Sequence, residues 1–169
     1  MAILSLKPVA LGILLSLCAL LFGEMHGMAF GAKEDAIMDH FKATAEANSA
    51  ALGSPENVKN AIEGSWKYLK RAHEHFMGLG AVGMILCMFV LLSPAKDIHK
   101  TIVTTAVGFG AFVYPLFWTL TAFKTSAIGA RAAKESLELL AQAGAGSGFL
   151  GLLGVIALAL SWSSKRRHA

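Results

Sequence analysis

The sequence predicts an all-α protein: a four-span transmembrane helix bundle with a small extracytoplasmic helical cap. Three observations predict it. The 169 residues are 55% hydrophobic and 15% charged, with a mean hydropathy of +0.57. The charges are spaced so unevenly that four long windows hold almost none. The two longer stretches between these windows have apolar residues at helical spacing on an otherwise polar background. A chain of this length is ordinarily one domain, here a single integral membrane domain over 1–169.

The four windows are 9–31, 72–92 (stopping at Ser93-Pro94), 101–123 and 146–162. Each is close to the roughly 20 residues that cross a hydrocarbon core. Backbone groups in lipid must be satisfied within the segment, so each window is expected to be helical. Pro115, with Tyr114, Trp118 and Thr119 around it, predicts a kink in the third span.

The cap is expected at about 33–71 and 124–145. In "KEDAIMDHFKATAEANSAAL", Ile37, Met38, Phe41 and Ala45 fall on one helical face, with Glu34 and Asp35 in the first turn where negative charge is favoured. This helix should end near Leu52-Gly53. "SPEN" restarts one, with Ser54 as cap and Pro55 at the first position. No strong breaker follows before residue 92, so one long helix is expected over 55–92. Residues 132–143 read as a further helix, with Leu137, Leu140 and Ala141 on one side. The glycine-rich run 144–148 is expected to end it.

Orientation follows from the basic residues. Both termini and the loop 95–100 share one side, which holds Lys7, Lys96, Lys100, Lys165, Arg166 and Arg167 against the single acid Asp97. The other nine basic residues are diluted among ten acids. The compact basic side is therefore expected in the cytoplasm, with Trp162 as an interfacial aromatic, in a membrane such as the bacterial inner membrane. A rival reading takes residues 1–33, with Lys7, an apolar core and "AFG" before Ala32, as a secretory signal whose cleavage would leave three spans.

The topology brings two polar stretches to one level. The first span's outer end reads "GEMHGMAFG" and the second's reads "RAHEHFMGLG". Glu24, Met25, His26 and Met28 are thereby expected at the depth of Arg71, His73, Glu74, His75 and Met77, with His40 above them. His99 and His168 fall on the cytoplasmic side. Ionisable groups at span ends are costly and often functional. His73 and His75 are two positions apart, about 200° around a helix, so they must diverge.

Four readings compete for this cluster. In the first, b-type haem takes one axial histidine from each helix, His26 with His73 or His75, while Lys70 and Arg71 pair propionates and the neighbouring glycines leave room. The stretch "AHEHFMGLG" resembles, over these few residues, the histidine-bearing helices of membrane haem oxidases. In the second, His26, His73, His75, Met25, Met28 and Met77 hold copper, or Glu24 and Glu74 replace sulfur and favour iron or zinc. In the third, a histidine and a glutamate exchange protons with a quinol. In the fourth, these residues only tie helices together.

Other chemistry is excluded more simply. Cys18 and Cys87 form no CxxC or zinc spacing and read as buried thiols. The net charge of +4 carries no nucleic-acid signal. "AGAGSGFLGLLG" contains no GxGxxG and follows no strand, so its small residues predict close helix packing. No nucleophile elbow, P-loop or HExxH occurs, and independent catalytic activity is not expected. The expected function is a small accessory subunit of a redox or respiratory membrane complex, holding haem or metal for electron transfer. The alternative is a cofactor-free structural subunit, with small-residue faces such as Gly12 with Ser16, and Gly80 with Met84 beyond it, packing against larger partners or a second copy.

Overall fold

The computed structural model describes residues 5–166 of the chain, and within these it is all helical. Arg167 and His168, and the side chains of Lys165 and Arg166, lie outside what is described. A 3-10 turn at Lys7–Val9 leads into α1 (Ala10–Ala47). The one-turn α2 (Ser49–Leu52), α3 (Pro55–Leu92), α4 (Asp97–Ile128), the short α5 (Ala130–Glu135) and α6 (Glu138–Arg166) follow. Four helices are long and apolar enough to cross a membrane: Lys7–Ala47, Pro55–Leu92, Asp97–Ile128 and Glu138–Ser164. The chain is accordingly an integral membrane protein, and each helix covers one of the four expected windows.

Local chemistry sets several boundaries as expected. Ser54 Oγ accepts from the backbone N–H of Asn57 at 3.2 Å, and Pro55 opens α3. Gly53, at φ 84°, closes α2 in the left-handed region and donates its N–H to the Ser49 carbonyl at 2.9 Å. On the side of the short turn between α3 and α4, Lys100 Nζ donates to the Leu91 carbonyl at 2.9 Å. Thr101 Oγ1 donates to the Pro8 carbonyl at 3.0 Å, tying the start of α4 to the start of α1.

The junction expected between the first span and the following amphipathic helix falls at Lys33, whose φ −143° and ψ 23° are non-helical and kink α1 there. Two expectations need correction. The run 144–148 does not end a helix. α6 starts at Glu138 and passes through Gly144, Gly146 and Gly148, because Gly144 and Gly148 face the backbone of α4 at Tyr114 and Gly110. A glycine costs helix propensity, but at Gly144, and at Gly110 opposite Gly148, it permits a backbone approach that a Cβ would block. Finally, Gly12, Ser16 and Gly80 do not form a face for partners. Gly12 abuts Thr104, Ser16 abuts Gly83 and Gly80 abuts Leu20, all inside the bundle. At Pro115, α4 stays helical on both sides of the buried ring.

The central pair is α3 with α4, antiparallel, as the meetings of Tyr68 with Trp118 and of Gly83 with Ala111 require. α1 lies in the groove of that pair and packs on both. α6 runs along α4 and barely reaches α3. Large apolar side chains on the outside of α1 and α6, such as Leu14, Leu21, Leu150 and Leu160, are exposed. That is the surface expected of a protein solvated by lipid tails.

α3, at 38 residues, is about 57 Å long, nearly twice a hydrocarbon core of about 30 Å. Its first half and the second half of α1 therefore extend past the apolar windows. They pack on each other there through the expected stripes. Phe41, Tyr68, Leu69, Ala72, Phe117, Trp118 and Ala122 form one buried cluster, with Ile37, Met38, Leu137, Leu140 and Ala141 against it.

Candidate functional site

α1 contributes Phe22, His26 and Phe30 at four-residue intervals, so all three line one face. α3 contributes His73 and Phe76, three apart, to the same layer. Phe112 of α4 closes it. The Phe76 ring is fully buried and lies 5.5 Å from the His26 ring and 5.7 Å from that of Phe22. The Phe30 ring stands edge-on to both histidines, 6.1 Å from His26 and 5.5 Å from His73. His26 and His73 are thus brought to one level, with Phe76 and Phe30 filling the space around them.

Both rings are anchored through the same nitrogen. His73 Nδ1 donates across the helix interface to the Gly23 carbonyl at 2.9 Å. His26 Nδ1 donates back along its own helix to the Phe22 carbonyl at 2.7 Å. A carbonyl only accepts, so Nδ1 carries a proton in each ring and Nε2 is the acceptor of the neutral form. His26 Nε2 lies 3.3 Å from Thr119 Oγ1, which is also 3.3 Å from the Pro115 carbonyl. Gly27 makes room for His73, since a Cβ there would stand 3.2 Å from its Cε1.

The remaining sequence candidates go elsewhere. His75 leaves the layer and lies against Tyr114 of α4, ring centroids 5.3 Å apart. Met77 packs its thioether over Gly23, where a Cβ would come within 2.6 Å of Sδ. Met25 and Met28 are 51% and 64% exposed, on the outside of α1, and Glu24 and Glu74 are exposed as well. Arg71 is stacked 4.5 Å above the Trp118 ring. His40 lies outside the layer, near Phe41 and Phe123. Among the described residues, no three His, Cys, Asp or Glu side chains converge as metal ligands would. Of the donors named for copper or iron, His75, Met25, Met28, Glu24 and Glu74 thus point away from the layer that holds His26 and His73.

Sequence reasoning missed a second constellation. Tyr68, Trp118 and Tyr114 form a continuous aromatic run on the α3–α4 interface. Arg71 and Lys134 both reach over the Tyr68 ring, at 5.9 and 4.8 Å. The signal for it was the i, i+4 pairing of Tyr114 and Trp118, which had been attributed to Pro115. Comparison with family models, with curated proteins and with solved structures finds no match to the chain.

Proposed function

We propose that the protein is a small helical subunit of a larger membrane assembly, and that its outer histidine layer is a structural clamp holding α1 to α3 and α4. The observation that carries this is the disposition of His26 and His73. Each ring has one nitrogen bound to a backbone carbonyl, and phenylalanine rings pack against both. A clamp of this kind needs no oxidation state and no substrate. The exposed apolar flanks of α1 and α6 are the surface left for other subunits, a second copy or lipid.

The test is copurification. The full chain, tagged and extracted from its native membrane in mild detergent, is expected to bring a partner at fixed stoichiometry. His26→Gln and His73→Gln are expected to retain it, while lowering thermal stability by about 1 kcal/mol each, the ordinary net worth of a hydrogen bond. A chain that elutes alone under all mild conditions sinks the subunit reading.

A second reading keeps one specific observation in its favour. A histidine whose Nδ1–H is fixed by a carbonyl presents Nε2 as the lone-pair nitrogen, which is how metal-ligating imidazoles are commonly oriented. On that reading His73 or His26 holds b-type haem, copper or iron for a redox complex. A dithionite-reduced minus oxidised absorption spectrum, with metal analysis of the same sample, separates the two. The clamp predicts a flat spectrum and no stoichiometric metal. Haem bands lost in His73→Gln would replace the clamp.

The helical ends outside the apolar windows are, in this proposal, an extracytoplasmic cap, and both termini are cytoplasmic in a membrane such as the bacterial inner membrane. The compact basic charge at Lys7, Lys96 and Lys100, against Asp97 alone, supports that orientation. A membrane-impermeant maleimide added to intact cells is expected to label Lys59→Cys and to leave Lys96→Cys unlabelled. The opposite pattern reverses the topology.

A further inference from the structure

Because α6 packs on α4 and scarcely touches α3, a cleft opens between the three helices. Its volume is about 280 Å³, and its walls include Leu79, Val82, Gly83, Gly110, Gly148 and Leu152. Those walls carry no charge, so the contents must be apolar. A cavity of about 150 Å³ takes a benzene-sized group, so this cleft has room for a slender apolar group on the order of twice that size. A stretch of alkyl chain fits that description.

The end nearest Tyr114 says what the chain is attached to. Tyr114 lines the cleft and lies against His75, the two rings tilted. On α3, Arg71, His75, Leu79, Val82 and Leu86 recur on one face, so the wall of the cleft continues upward into a cation. Arg71 is half-buried, its guanidinium over the Trp118 ring at 4.5 Å. Lys134 reaches the same aromatic run over Tyr68 at 4.8 Å. The ion pairs among the described residues are Lys59–Glu63 and Arg131–Glu135, so neither cation is spent on a carboxylate. A guanidinium paired with no carboxylate keeps N–H groups available in a fork that matches a phosphate. From Arg71 to Leu79 is about 12 Å along the helix axis, more than the roughly 5–7 Å headgroup layer on each side of the hydrocarbon core, so a phosphate at the level of Arg71 sets acyl carbons at the level of Leu79.

We propose that this cleft is a binding site for one anionic phospholipid, with an acyl chain between α3, α4 and α6 and its phosphate met by Arg71 and Lys134. The site lies on the face of α3 away from His73 and is independent of what the histidine layer does.

The test titrates the full chain in non-ionic detergent with dioleoylphosphatidylglycerol or dioleoylphosphatidylcholine and reads retention by native mass spectrometry. One phosphatidylglycerol per chain is expected, at a concentration at least fivefold lower than for phosphatidylcholine. Arg71→Gln with Lys134→Gln is expected to shrink that preference below twofold. Lys59→Gln, which removes a cation elsewhere on α3, is expected to leave it intact. Val82 is 50% exposed, so Val82→Trp should fill the cleft with helicity unchanged and lower retention of both lipids at least fivefold. The proposal is overturned by equal retention of the two lipids, by a preference that survives the double variant or is lost in Lys59→Gln, or by retention that survives Val82→Trp. A dimer that displaces the lipid overturns it in favour of self-association.

Discussion

Gly110→Ala is expected to destabilise the bundle by about 1–3 kcal/mol, the usual cost of overpacking, whereas Gly148→Ala is expected to be neutral or stabilising. The two glycines face each other, yet their surroundings are unequal. A Cβ on Gly110 would collide with the Gly148 backbone, meeting its Cα and lying 2.6 Å from its nitrogen, and 2.9 Å from the Gly144 carbonyl. A Cβ on Gly148 would find only the Gly110 Cα, at an ordinary 3.5 Å. Backbone cannot rotate aside as a side chain can, so the first substitution must push α6 away from its main support. The second recovers helix propensity of about 0.5–1 kcal/mol at no steric cost. Thermal or SDS unfolding of the purified variants measures both. Equal damage from the two would mean that the α4–α6 seam is not as close as described.

Phe41→Ala is expected to cost about 3–5 kcal/mol, the range for deleting a buried phenylalanine. The loss should appear first in the parts of the helices beyond the apolar windows. Phe41 is fully buried, with Tyr68 and Trp118 in its cluster and the Phe123 ring 5.5 Å away. Where water is the solvent, its removal forfeits both transfer free energy and packing. Phe76 is equally buried, but within an apolar window lipid tails would solvate it when unpacked, so only packing is lost. Phe76→Ala is thus expected to cost less than Phe41→Ala. In proteoliposomes, trypsin should cut after Lys33 and Lys42 much faster in Phe41→Ala than in the parent, with the spanning segments intact. Unchanged resistance would show that this cluster does not hold the outer helices together.

These expectations rest on residues of very different legibility. The Ser54-Pro55 helix start was readable because a cap and a fixed φ are local properties. The four spans were readable because lipid imposes length and composition on any crossing. The level shared by His26 and His73 followed from topology alone. What fills the space around them did not, because it depends on how far α1 is rotated to present Phe30, and α3 to present Phe76. Gly144 and Gly148 were misread for a related reason. A glycine run ends a helix or permits close packing according to whether another backbone lies opposite, and that backbone belongs to Gly110 and Tyr114, some 30 residues earlier. Arg71 was read as a partner for haem propionates, but its Trp118 platform comes from another helix.

α3 has a mechanical consequence. It is helical without interruption from Pro55 to Leu92, so Ile62 and Trp66 near one end and Leu79 and Leu86 near the other belong to a single stiff rod. α1 is kinked at Lys33, but α3 has no such break. Arg71, His75 and the α3 wall of the cleft are therefore held in one register with Ile62 and Trp66 by an unbroken ladder of backbone hydrogen bonds.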